Sequence, residues 1–192
     1  GNQAVAARST VRYVCVEDLI VAESRLSELN ITGAAEYVMF EDILNSRYKT
    51  PLSERICLVL NAEFVEDSQG TGLVHIACAH GQEDFELGRK YSLEPLDLID
   101  TAGRYTQDAG RQLQGLYAMS TGSEKVMEFL KESGHLFKQV SINHRYPIDW
   151  RTKKPVMLKA TDQWFVSIDS MRQELLRAVE SIKFEPVNGK AR

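Results

Sequence analysis

The stretch Gly70-Thr71-Gly72-Leu73-Val74-His75-Ile76-Ala77-Cys78-Ala79-His80-Gly81-Gln82-Glu83-Asp84-Phe85 decides how the fold of this chain is interpreted. It opens with a turn bracketed by glycines and continues with an apolar run, 73–78, which is typical of a buried strand. The segment 83–91 has acidic residues in its first turn and basic residues in its last, and this arrangement complements a helix dipole. The stretch therefore predicts a strand–turn–helix unit that brings two carboxylates to the start of a helix.

Strand and helix signals are mixed along the rest of the chain. Hydrophobic periodicity predicts strands over 11–16, 36–40, 56–60, 156–159 and 164–168, helices over 17–30, 123–134 and 170–182, and loops over 45–54 and 102–115. Because these elements do not alternate regularly as βαβ units, the predicted class is α+β with a β-rich core. Composition becomes basic and aromatic after about residue 142, so we predict one domain over 1–142 and a connector over 143–192.

Composition narrows the classes of function. A length of 192 residues suits one domain with an appendage, and a formal net charge of -4 argues against a surface that coats nucleic acid generally. Any RNA contact must then come from a local basic patch. The three cysteines are widely spaced, which indicates reduced thiols, and no spacing typical of metal ligands occurs. No apolar run is long enough to span a bilayer, so no membrane partner is expected.

The glycine turn, His75 and Cys78 of the opening stretch each allow a structural and a functional interpretation. The run Gly70-Thr71-Gly72 is either a tight turn that needs glycine or a phosphate loop, although it lacks a complete phosphate-loop motif. His75 is either a hydrogen-bonded core residue or a catalyst. Cys78 could form a nucleophile pair with His75, but residues three apart on a strand point to opposite faces.

The acidic pair and the basic segment are equally open. Glu83 and Asp84 either complement the helix dipole or bind an ammonium group. The segment 144–155 mixes cations with aromatic residues, which suits phosphate contacts and base stacking. It could equally be a solvated connector with a buried Trp150.

Two segments of this chain resemble the editing domain of isoleucyl-tRNA synthetases. Residues 70–88 are similar to the family pattern G-T-G-x-V-H-x-A-P-x-H-G-x-D-D-Y, and 144–167 are similar to H-x-Y-P-x-x-W-R-x-K-x-P-V-x-x-x-A-T-x-Q-W-F-x-S. The valyl and leucyl enzymes usually have A-H-D after the strand, whereas this chain has Ala79-His80-Gly81, which favours the isoleucyl family. Cys78 replaces the usual proline, and Glu83 and Phe85 replace aspartate and tyrosine.

The resemblance implies a β-barrel-like editing domain with peripheral helices, followed by a strand and helix that return toward the aminoacylation domain. It implies hydrolysis by water of the ester that joins valine to the 3′ end of isoleucine tRNA, without a metal or organic cofactor. Asp84 would hold the ammonium group and His75 would line the side-chain pocket; we group these two as the catalytic residues. Further substrate-binding residues implied by position are Asn2, Gly70, Thr71, Gly72, His80 and Gly81. The implied tRNA-binding residues are Arg145, Trp150, Arg151, Lys153 and Lys154.

The resemblance also implies partners and context. The expected partners are isoleucine tRNA carrying valine and the remainder of the synthetase, in the cytoplasm or the mitochondrial matrix. We expect the chain to be a fragment of a bacterial-type or mitochondrial enzyme, with the family's threonine-rich peptide preceding Asn2. The alternatives are a catalytically silent tRNA-docking module and, more distantly, a Cys–His hydrolase.

Overall fold

The computed structural model describes residues 3–186 and Gly189. The chain divides into two compact units, Gly1–Ala160 and Thr161–Arg192. The functional boundary that composition predicts, between residues 142 and 143, stays a prediction. None of the helices in the described residues is both long enough and apolar enough to cross a bilayer.

Seven strands and five α-helices form the regular structure of the described residues. The strands are β1 (Ala4–Ala7), β2 (Tyr13–Val16), β3 (Leu19–Ala22), β4 (Ala35–Val38), β5 (Arg47–Lys49), β6 (Ile56–Asn61) and β7 (Val74–Ile76). The helices are α1 (Leu26–Leu29), α2 (Phe40–Asn45), α3 (Gln82–Lys90), α4 (Ser123–Glu132) and α5 (Arg172–Ser181). The predicted strand–turn–helix unit is confirmed as β7 and α3, and the helices predicted over 123–134 and 170–182 are confirmed as α4 and α5.

The larger sheet positions the unit that the sequence singled out. Its strand order is β5-β6-β1-β7, with β1 parallel to β6 and antiparallel to β7. In this register Ala4 lies opposite Ile76, and Val5 lies opposite His75. Since neighbouring residues of a strand point to opposite faces, His75 and Ile76 face different sides of the sheet. Ile76 enters a core cluster with Cys78 and Leu87 of α3, so His75 lies on the face away from that cluster.

The smaller sheet corrects one prediction. Its order is β3-β2-β4, and Val16 pairs with Leu19 across a two-residue turn in which Glu17 has a φ of 55°. The helix predicted over 17–30 is therefore wrong in its first half, where Leu19–Ala22 forms β3. Only Leu26–Leu29 is α-helical, and it ends at Asn30 in the left-handed conformation, as expected of a helix stop.

The α+β class is confirmed, but the barrel-like form is not. Within the described residues the strands form two open sheets, with no closed barrel. In the described backbone, no strand forms over 156–159 or 164–168, so these two predictions are wrong. Just before them, an isolated bridge joins Ile148 to Pro155. In the second unit the regular structure is α5, preceded by a 3-10 turn at Asp169–Met171.

Candidate functional site

Asp84 is held in a defined position at the start of α3. The helix begins after Gly81, whose backbone is extended, and Asp84 lies in the first turn. Its Oδ2 accepts a hydrogen bond of 3.1 Å from the backbone N–H of Ala77, just beyond the end of β7. A Cβ added to Gly81 would lie 2.8 Å from that oxygen, so the absence of a side chain there makes room for the carboxylate. The carboxylate thus folds back over the strand end in one orientation.

His75 lies on β7, within the electrostatic field of Asp84. His75 is exposed at the surface, yet the protein around its ring still removes much of the ring's hydration. This desolvation lowers the pKa of His75, and the negative charge of Asp84 opposes the shift without cancelling it. Because the ordinary pKa of histidine is about 6.5, the ring is neutral near pH 7. A neutral imidazole can line an apolar pocket and still make a hydrogen bond.

His75 borders a cleft with a volume of about 200 Å³. Besides His75 on β7, the walls come from three stretches: the residue before β1, the loop before β6, and the region from 98 to 126. The lining residues are Gln3, Thr50, Leu52, Ser53, Arg55, His75, Leu98, Tyr105, Asp108, Ala109, Leu113 and Val126. A smaller cavity of about 140 Å³ shares Gln3, Leu98 and Tyr105 with it and reaches Ala77. Asp84 lines neither cavity, but it is bonded to Ala77, which lines the smaller one.

The glycine-rich turn 70–72 is bound to the protein through its backbone. Gly70 and Gly72 have φ angles of 54° and 77°, which favour glycine. The carbonyl oxygen of Gly72 accepts a hydrogen bond of 2.8 Å from the Tyr13 hydroxyl, and that of Thr71 accepts one of 2.8 Å from the Ala22 N–H. The carbonyl of Gly70 accepts a third from the Arg25 side chain at 3.1 Å. This geometry fits the tight-turn alternative, and the substrate-binding role of the three residues stays a prediction.

His80 lies between two other parts of the chain. Its Nδ1 is 3.1 Å from the carbonyl oxygen of Leu158, and its Nε2 is 3.8 Å from Oδ1 of Asp97. A carbonyl oxygen only accepts, so Nδ1 must carry the proton in this hydrogen bond. Its predicted role in substrate binding is untested, as is that of Gly81. Asn2 lies outside the described residues.

Cys78 has the environment of a packing residue. Its residue is 2% exposed and belongs to the core beneath α3. Burial raises the pKa of the Cys78 thiol, and the charge of Asp84 raises it further, so the reactive thiolate is disfavoured. These features argue against a Cys–His nucleophile.

The predicted tRNA-binding residues converge on an exposed turn. We call residues 148–155 the basic turn; the Asp149 N–H donates to the Lys154 carbonyl at 2.8 Å, and the Lys153 N–H donates to the Asp149 carbonyl at 2.8 Å. Trp150 is 71% exposed, so the alternative of a buried Trp150 is wrong. The Arg151 guanidinium lies 4.8 Å from the Trp150 ring centroid, in cation–π geometry. Arg145 is exposed just before the basic turn.

Curated relatives match this chain from end to end. It is 40% identical over 201 residues to the isoleucine–tRNA ligase of Acaryochloris marina, 37% over 201 residues to that of a Cyanothece species, and 36% over 209 residues to that of Nostoc punctiforme. From end to end, the chain is therefore similar to one segment of isoleucine–tRNA ligases. All of the chain is covered in each match, but it spans only 21% to 22% of the length of these relatives.

A solved structure supports the fold. The chain matches the crystal structure of GlLeuRS-CP1 with a TM-score of 0.53 and 16% identity, covering 70% of this chain and 76% of that one. At this identity the match shows a shared CP1-type fold and nothing about chemistry. No protein-family profile matches the chain.

Several polar residues around the candidate site were not identified from the sequence. Arg55 and Asp108 line the His75 cleft. Asp97 lies near His80 and forms an ion pair with Lys159. None of them stands at a fixed position of a short motif, and they come from loops far apart in the sequence. The available signals were the two polar stretches predicted as loops: Arg55 directly follows 45–54, and Asp108 lies within 102–115.

Proposed function

We propose that this segment of an isoleucine–tRNA ligase hydrolyses the ester that joins valine to the 3′ end of isoleucine tRNA. The observation that carries the proposal is the arrangement of Asp84 and His75 around the end of β7. The chain that holds them is similar to these ligases along the whole of its own length. One residue offers a fixed negative charge and the other a neutral ring at the wall of a cleft. An amino-acid ester offers the complementary groups, an ammonium and an apolar side chain.

Asp84 is assigned the ammonium group. A carboxylate has two oxygens and several acceptor positions, so the single bond to Ala77 leaves capacity for a charged donor. Charge-assisted hydrogen bonds are stronger than neutral ones and fix orientation. Asp84 would thereby place the ester carbonyl for attack by water, so its contribution is positioning of the substrate and not removal of a proton.

His75 is assigned the selection of valine over isoleucine. In a hydrophobic pocket one methylene is worth only about 1–3 kcal/mol, a general range for which isoleucyl-tRNA synthetase is itself the familiar example. A synthetic site therefore admits some valine, and a second pocket that accepts only the smaller side chain corrects the error. The neutral ring of His75 can form the wall of such a pocket without attracting a counter-charge.

The basic turn is assigned to the tRNA. Arg151, Lys153 and Lys154 would contact phosphates, Trp150 offers an exposed face for a base, and Arg145 would add a further charge nearby. Substrate-binding roles for Gly70, Thr71, Gly72, His80 and Gly81 belong to the same proposal. The remaining ligase chain is proposed as the second partner.

The test is deacylation of isoleucine tRNA charged with valine or with isoleucine. The chain should hydrolyse the valyl ester selectively, and Asp84→Ala should abolish most of that activity. Glu83→Ala is the matched control, because it removes a carboxylate from the same helical turn that does not contact Ala77. A chain extended by the threonine-rich segment serves as a second enzyme form.

Two outcomes would contradict the proposal. Equal activity of Asp84→Ala and the unaltered chain would exclude the assigned role of Asp84. Absence of hydrolysis by both forms, with tRNA still bound, would favour the second candidate.

The second candidate is a tRNA-docking module without catalytic activity. The observation that favours it is the exposed Trp150–Arg151 stack on the basic turn. Binding would weaken steeply with salt, because each phosphate contact releases counterions. A salt-dependent affinity without ester hydrolysis would identify this function.

A further inference from the structure

A charged network joins Asp97, in the stretch between α3 and α4, to Lys159, which follows the basic turn. The Nζ of Lys159 is 2.7 Å from Oδ2 of Asp97, and the same amine donates to the carbonyl of Ile99. Oδ1 of Asp97 accepts a hydrogen bond of 3.1 Å from the Ile99 N–H. Burial alone would raise the pKa of Asp97, but the bonds from Lys159 and Ile99 together lower it. The Asp97 carboxylate is therefore ionised at neutral pH and holds Lys159 in place.

The segment that carries Lys159 also binds the turn between β7 and α3. The Ala160 N–H donates to the carbonyl of Ala79 at 2.7 Å, and His80 donates from Nδ1 to the carbonyl of Leu158. His80 reaches toward Asp97 with its other nitrogen, at 3.8 Å. Segment 155–160 is thus attached to this turn at two points and to Asp97 at a third.

Packing adds a fourth attachment point. Gly103 has a φ of 76°, and a Cβ there would lie 2.7 Å from the terminal methyl of Met157. Met157 therefore lies directly against the backbone of Gly103. At its other end the segment begins with Pro155, which is bridged to Ile148 and closes the basic turn.

These contacts form one continuous connection. At one end lies the turn 77–80, whose first amide holds the Asp84 carboxylate, and at the other end lies the basic turn. Segment 155–160 joins them over six residues, and four separate attachments restrict its path. Loss of one attachment should loosen the basic turn relative to Asp84 while the core beneath α3 stays packed.

We propose that Asp97 and Lys159 are positioning residues, which hold segment 155–160 against the turn 77–80 and thereby set the place of the basic turn relative to Asp84. Neither residue contacts the ester in this scheme. The effect on ester hydrolysis rests on the proposed function, whereas the effect on the segment itself does not. The ligand whose placement depends on the network is the acceptor end of a tRNA, bound through its phosphates.

The experiment compares Asp97→Asn and Lys159→Met with the unaltered 192-residue chain. The matched control is Glu128→Gln, which breaks a pair of similar length, 2.6 Å to Lys125, on the exposed face of α4. Hydrogen exchange at the Ala160 amide reports the attachment, and exchange at the Ala22 amide, bonded to Thr71, serves as an internal reference. Affinity for uncharged isoleucine tRNA and the KM and kcat for the valyl ester report its consequences.

Both variants should raise exchange at Ala160 and in the basic turn, with Ala22 unchanged. The Kd and KM should rise roughly threefold to fivefold, as expected for a partly exposed ion pair, with kcat changed less than about twofold. The double variant Asp97→Lys/Lys159→Asp should recover part of the tRNA affinity that the single variants lose, because it restores the ion pair with its charges reversed.

Each result bears on a separate claim. Unchanged exchange at Ala160 in both variants would overturn the attachment. Raised exchange with an unchanged Kd and KM would overturn the positioning role. If the unaltered chain binds tRNA but hydrolyses no ester, the proposed function fails, and the exchange and Kd results still decide the positioning role.

Discussion

Substitution of Gly81 by alanine should displace the Asp84 carboxylate while leaving the backbone unstrained. Gly81 has φ and ψ of -140° and 144°, which any residue adopts. The new Cβ would lie 2.8 Å from Oδ2 of Asp84 and 3.1 Å from its Cγ. Because the contact falls on the end of a flexible side chain, the carboxylate moves and the helix start remains.

The size of the effect follows from that distance. Ordinary contact begins at 3.4 Å, so Oδ2 must move by about 0.6 Å and its bond to Ala77 is weakened or lost. A misplacement of about 1 Å in a positioning group costs on the order of a hundredfold in rate, so roughly tenfold is expected here. The free energy of unfolding should fall by only about 1–2 kcal/mol, from the weaker helix cap and the lost hydrogen bond.

The assay is deacylation of valyl-tRNA by Gly81→Ala, with kcat/KM compared with the unaltered chain. Gln82→Ala is the control, since it alters the next residue of the same helix start without approaching Asp84. Exchange at the Ala77 amide shows independently whether the carboxylate has moved. An exposed Ala77 amide combined with a full rate of hydrolysis would refute the reasoning, because Asp84 would then be displaced without consequence.

Three further predictions concern stability. Tyr13→Phe should lower the free energy of unfolding by about 1–3 kcal/mol in urea titration, because it leaves the buried acceptor at Gly72 without its 2.8 Å donor; no change would mean that water replaces the hydroxyl. Gly88→Ala should cost about 1–3 kcal/mol, since its Cβ would come 2.6 Å from Sγ of Cys78, and Cys78→Ala should recover part of that loss in the double variant; strict additivity would exclude the clash. The lowered pKa of His75 means that, below about pH 6.5, the unfolded chain takes up a proton that the folded chain resists, so stability should fall as pH drops from there through the folded-state pKa. His75→Gln should flatten this part of the stability curve measured by thermal unfolding, and an identical acid limb in both proteins would contradict the assignment.

The sequence predicted best where local signals and tertiary packing agree. The strand–turn–helix unit was found from its glycines, its apolar run and its charged helix ends, and Asp84 lies where that pattern put it. Prediction from the sequence failed where pairing between strands overrides the local preference for a helix. In 17–30 the spacing of apolar residues suggested one helix, but Glu17 reverses the chain and Leu19–Ala22 pairs with β2.

The central strand and the polar surroundings of the site were not predictable in the same way. Ala4–Ala7 carries weak strand propensity, and it becomes a strand because small side chains fit between β6 and β7, where Ala4 and Ala6 are fully buried. Only after the loops have folded does Arg55 line the His75 cleft and Asp97 pair with Lys159. Hydrophobic periodicity cannot predict contacts of this kind between polar residues of distant loops.

The bond between Asp84 and Ala77 has a consequence for how copies of this chain meet. β7 is an edge strand of the four-stranded sheet, and open edges offer backbone groups to strands from other molecules. The first amide beyond β7 is already occupied by the Asp84 carboxylate, so the ladder has no free donor at that position with which to grow. The negative charge also repels an approaching backbone carbonyl. A side chain assigned to an ammonium ligand therefore also occupies one backbone donor beside this edge of the sheet.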